Sequence, residues 1–60
     1  NNFTLMHKFA YFSKFDPNKE YVMTWSAPSI EEARRCFAAF KSVDLKTFDR
    51  LFEVVRYDRS

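Results

Sequence analysis

The side chains in this sequence that could do chemistry are few, and they stand apart. His7 is the only histidine and Cys36 the only cysteine. A general base or a metal ligand works in company, and His7 has neither a second histidine nor a carboxylate beside it in sequence. It reads as a structural histidine on a sheet surface or partly inside. Cys36 falls among apolar residues at helical spacing, where a thiol behaves as a small hydrophobe. One cysteine and one histidine cannot make a zinc set or an internal disulfide. Asp44, Asp49, Glu53 and Asp58 are interspersed with Lys46, Arg50, Arg56 and Arg59, which is not the pattern of an oxygen cage for a cation. Glycine is absent. That excludes a phosphate-cradling loop, a dinucleotide fingerprint, a nucleophile elbow and an EF-hand loop, because each needs glycine where a side chain would clash or where φ is positive. The expectation is a protein with no cofactor and no catalytic residues.

Binding is the chemistry that remains. Lys8-Phe9-Ala10-Tyr11-Phe12-Ser13-Lys14-Phe15 mixes aromatics with lysines. Sheets of the RNA-recognition-motif kind use such mixtures, stacking bases on rings while lysines meet phosphates. The segment departs from the RNP1 pattern: the glycine after the basic residue is missing, and Lys14 stands where the final aromatic would fall. No family is assigned from it, and Phe9 with its neighbours reads more simply as core.

Several elements position these residues. Phe3 to Phe15 alternates loosely, with Phe3, Leu5, His7, Phe9 and Tyr11 on one face and Thr4, Met6, Lys8, Ala10 and Phe12 on the other, which predicts a strand. Asp16-Pro17-Asn18-Lys19 suits a type I turn. Tyr21 to Ser26 reads as a second strand, with Tyr21, Met23 and Trp25 on one face, so the two make an antiparallel hairpin. Ser29 and Glu32 form a capping box, and Glu31 and Glu32 suit the positive end of the helix dipole. A helix over 30–41 follows, with Ile30, Ala33, Phe37 and Phe40 as its apolar stripe and Cys36 at the edge. Arg34 and Arg35 read as its solvated face, with Glu31 and Arg35 as an i, i+4 pair. Lys41 lies in the last turn. Residues 45–57 fit either period. They are read as a helical turn over 45–50 capped by Asp44, then a strand over 51–57 favoured by Val54, Val55 and Tyr57.

The fold class is therefore α+β: one domain over residues 1–60 with a small antiparallel sheet of about three strands. The sequence order is ββαβ, and one principal helix packs on one face. A chain of 60 residues buries only about 60% of its unfolded surface. With no disulfide or zinc, stability must come from the aromatic core, since 20% of residues are Phe, Tyr or Trp, or from pairing with a second copy. The formal charge of +2 is interspersed, and the pI near 8.9 falls short of a duplex-DNA binder. No apolar run is long enough to span a membrane, and no secretory leader is visible. With a free thiol, this favours a reducing cytoplasm. The chain starts at Asn1, as if an initiator methionine had been removed or left out.

If the helix covers one sheet face, the other keeps several large residues and becomes a contact surface. The main expectation is a non-enzymatic protein-binding module, a small inhibitor or adaptor. Its contacts would be Tyr11, Tyr21, Trp25 and Tyr57, with Lys14 and Arg56 at the rim. In size and in its lack of signatures the chain resembles the small accessory proteins of phages and other mobile elements, some of which block host enzymes, nucleases or CRISPR effectors. The partners expected are a protein and a second copy of the chain forming a homodimer. The alternative is a single-stranded nucleic acid held through Lys8, Phe9, Tyr11, Lys14 and Trp25.

Overall fold

A computed structural model describes residues 5–58. The chain runs β1 (His7–Ser13), β2 (Tyr21–Ala27), α1 (Ile30–Lys41), α2 (Leu45–Leu51) and β3 (Phe52–Arg56). The sheet is antiparallel with strand order β2-β1-β3, so the first strand is central and the other two are edges. The expected α+β class and its strand and helix order hold, with the helical turn after Asp44 forming a second short helix. The outer parts of the first expected strand, Phe3 and Thr4, lie outside the described residues.

The missing glycines are replaced in kind. Asp16 organises the β1–β2 connection: its carbonyl accepts from the Lys19 N–H at 3.1 Å, and its carboxylate accepts from the N–H groups of Asn18 and Glu20. Lys19 then takes a left-handed φ of 52°, a position that favours glycine. Ser29 caps α1, its hydroxyl accepting from the Glu32 N–H at 3.3 Å. The helix ends on Ser42 in the left-handed region, with φ 59°. The Ser42 N–H returns to Ala39 and the Val43 N–H to Ala38, both at 3.1 Å. This is the paired-bond termination that glycine ordinarily serves. Asp44 caps α2 through the Thr47 N–H at 2.8 Å. Hydrogen bonding with Thr47, through its side chain first and then its backbone N–H, holds the Asp44 carboxyl below its ordinary value.

Both helices lie on one face of the sheet, and the core is between them and β1. Phe9, Tyr11, Ala27, Ala33, Phe37, Ala38 and Phe48 are buried together, with Met23, Val43, Leu45, Phe52 and Val54 packed against them. The Tyr11 ring meets Phe37 at 4.6 Å, Phe48 at 5.3 Å and Phe52 at 5.2 Å between centroids. The α1 stripe is buried at Ala33 and Phe37, while its ends, Ile30 and Phe40, stay exposed. Aromatic rings of this size bury ~150–250 Å² each, which is how so short a chain assembles a core.

Candidate functional site

The helices leave the other sheet face open, and strand parity decides what stands there. Lys8, Ala10 and Phe12 alternate with the core residues Phe9 and Tyr11, so they face away from the helices. Their cross-strand partners are Ser26 and Thr24 on β2 and Val55 and Glu53 on β3. A bulge adds one more residue. Tyr11 pairs with Met23, but Phe12 pairs with Tyr21, leaving Val22 as the extra position. Such a bulge reverses the alternation beyond it. Tyr21 therefore stands on the open face beside Phe12, with ring centroids 6.4 Å apart, and not with Met23 and Trp25 as strict alternation predicts.

Tyr57 continues β3 past its last residue, its N–H donating to the Lys8 carbonyl at 2.9 Å. Its ring reaches toward β2 and comes within 6.0 Å of Tyr21. The two tyrosines converge across β1 over Ala10, which is buried although no helix covers it. Phe12 is likewise covered, by Tyr21 on one side and by the Lys19 ammonium 5.9 Å from its ring centre on the other. Tyr21 and Tyr57 remain 53% and 39% exposed, so both keep free ring surface and a polar tip. At one end of this face a depression of about 370 Å³ is lined by Lys8, Thr24, Trp25, Ser26 and Tyr57. The charges on the face are mixed: Lys8 and Lys19 against Glu53.

The residues expected to form the contact surface are distributed over three places. Tyr21 and Tyr57 come together as described. Tyr11 is 1% exposed and belongs to the core, because its parity on the central strand turns it under both helices. That removes it from any contact surface. Trp25 pairs with Phe9 and faces the helix side, where its ring meets Phe40 at 5.1 Å. Arg56 is also opposite Phe9, and its Nε donates to Asp58 Oδ1 at 2.7 Å. The Lys14 ammonium donates to the Asp49 carbonyl at 2.6 Å, in a groove bordered by Ile30, Arg34 and Glu53. The alternative nucleic-acid set is divided: Phe9 and Tyr11 are buried, Lys8 and Trp25 border the depression described above, and Lys14 lies in the second groove.

Two ion-pair clusters were invisible in the sequence because they close across the fold. His7 Nδ1 lies 3.3 Å from Asp58 Oδ2. The Arg56 guanidinium first, then His7, hold the Asp58 carboxyl below its ordinary value. The third group of this cluster is a cation, and the His7 ring makes no other hydrogen bond among the described residues. Arg34, expected on a solvated helix face, is half-buried and grips Asp49 of α2 with two nitrogens, Nε to Oδ1 at 3.0 Å and Nη2 to Oδ2. That hydrogen bonding holds Asp49 below its ordinary value and raises Arg34 further. The i, i+4 pair expected between Glu31 and Arg35 is not formed among the described residues.

Among the described residues no cluster of three metal-binding side chains occurs, and no helix is long and apolar enough to cross a membrane. In comparison with known proteins, no family model, no curated relative and no solved structure matches the chain.

Proposed function

We propose that this domain is a non-enzymatic binding module that docks the open face of its sheet on a protein partner, in the manner of a small inhibitor or adaptor. The observation that carries the reading is the convergence of half-exposed Tyr21 and Tyr57 on the side of the sheet that no helix covers. Tyrosines suit a binding centre because they bury large area with few rotatable bonds and keep a hydroxyl for a partner. Phe12, stacked on Tyr21, and the central strand lie beneath them. Lys8, Lys19 and Glu53 make a rim of both signs. A groove for a phosphate backbone needs a run of cations, and this rim has none.

The experiment is affinity capture from the native host lysate with and without nuclease. Wild type is compared with the Tyr21→Ala/Tyr57→Ala double variant and with Arg35→Ala on the outer helix face. A protein captured by wild type and by Arg35→Ala, resistant to nuclease and lost from the tyrosine variant, supports the reading. Recovery of nucleic acid that disappears with nuclease would sink it. So would a partner that the tyrosine variant retains in full.

A further inference from the structure

β2 is an edge strand, paired on one side only, with β1. Tyr57 N–H donates to the Lys8 carbonyl, and Lys14 N–H donates to the Leu51 carbonyl, both at 2.9 Å. The even-numbered residues of β1 thus turn their backbone groups toward β3, and the odd-numbered ones turn theirs toward β2. Met23 and Trp25, opposite Tyr11 and Phe9, point their groups inward to β1. Thr24 and Ser26, opposite Ala10 and Lys8, point theirs outward. Among the described residues no backbone bond takes up those outward groups.

Natural sheets guard such edges with charge, proline or bulges. The β3 edge carries Glu53 and Arg56. β2 contains no charged residue and no proline from Tyr21 to Ala27, and its bulge affects only the Val22 end. The regular ladder runs over Met23–Ala27, whose midpoint is Trp25. Beside that midpoint, on the helix side, Trp25 and Phe40 are 42% and 50% exposed.

We infer that the chain forms a two-fold dimer in which β2 pairs antiparallel with β2 of a second copy, with Trp25 at the axis. In that register the outward groups of Thr24 meet those of Ser26 in the second copy, and the reverse, so all of them are used. Trp25 lies against its own counterpart, and Phe40 closes over the pair. A second copy fits because an antiparallel edge centred on Trp25 is its own complement under a two-fold axis. The absence of charge also leaves nothing to repel an identical strand or to select a different one. The result is one continuous six-stranded sheet whose open face carries both tyrosine pairs.

Sedimentation equilibrium from micromolar concentration upward should give twice the monomer mass of 7.3 kDa. Trp25→Lys should give monomer across the range with an unchanged circular dichroism spectrum. Thr24→Pro removes an outward N–H that the chain itself does not use, a placement that edge strands tolerate, and should also be monomeric. Hydrogen exchange on the wild type needs no variant. The Thr24 and Ser26 amides should slow as concentration rises, while the amide of Phe9 on the central strand holds constant. A wild-type chain that stays monomeric throughout overturns the inference. So does a dimer in which the Thr24 and Ser26 amides exchange freely, since that dimer uses another surface.

Discussion

The rings of Tyr21 and Tyr57, on the two outer strands of the sheet, stand 6.0 Å apart across the central one. A bulge at Val22 and an extension of β3 by one paired residue are both needed to bring them together. The aromatic cluster under the helices includes neither ring, being built from Tyr11, Phe37, Phe48 and Phe52.

Truncating these two tyrosines should therefore separate binding from folding. Tyr21→Ala and Tyr57→Ala should each keep the native circular dichroism spectrum and weaken the captured partner by about 2 kcal/mol or more, the scale of a hot-spot residue. Isothermal titration at low and high salt supplies the second readout. A protein contact centred on tyrosine should give a shallow salt slope. A slope of several units in log K against log salt would mean phosphate contacts.

The core makes the opposite prediction. Phe37 is fully buried among Tyr11 and Phe48, so Phe37→Ala should cost about 3–5 kcal/mol. Stability scales at roughly 0.05–0.15 kcal/mol per residue, so that loss is comparable to the whole. Thermal denaturation should show the variant largely unfolded at room temperature. A cooperative transition near the wild-type midpoint would place Phe37 outside the core.

The two ends of α1 should respond in opposite directions. Ser29→Ala removes the N-terminal cap and should lower stability by about 0.5–2 kcal/mol. Ser42→Gly relieves a left-handed residue that costs roughly 1–2 kcal/mol, partly offset by the added chain entropy of glycine, and should raise stability by up to about 1 kcal/mol. Urea midpoints of the two variants should fall on either side of wild type. A destabilised Ser42→Gly would mean that the serine makes a contact which its backbone does not account for.

Acid and alkali should act through different residues. Asp44, Asp49 and Asp58 all sit below the ordinary value of 3.8. As pH falls through that range the unfolded chain takes up protons that the folded chain resists. Stability is thus complete above the ordinary carboxyl range and is lost as pH drops below it. Tyr11 moves the other way, raised above 10.0 by burial. The folded chain keeps that proton longer than the unfolded one, so stability holds below pH 10 and falls as pH climbs beyond it. Denaturation midpoints against pH should show both limbs. Asp49→Asn should flatten the acid limb and Tyr11→Phe the alkaline one. An alkaline limb unchanged in Tyr11→Phe would assign it to other groups.

Local chemistry settled most of the secondary structure. Ser29 and Asp44 are caps in sequence and in space, the 30–41 stripe is a helix, and Asp16 makes the turn it was expected to make. These signals act within four residues, where backbone geometry leaves little choice. The α+β class followed from them. What the tertiary structure alone decided was which side of each strand meets the helices. Strand alternation divides residues into two sets without saying which set is inside. Tyr11 went inside because the helices cover the Phe9 face of β1. Tyr21 went to the open face because one extra residue at Val22 reversed the parity of its strand, a shift that no residue type announces. The pairs Arg34–Asp49 and His7–Asp58 were hidden for a related reason. Each joins elements far apart in sequence, and the spacing of charges along a chain carries no record of the contacts that packing creates.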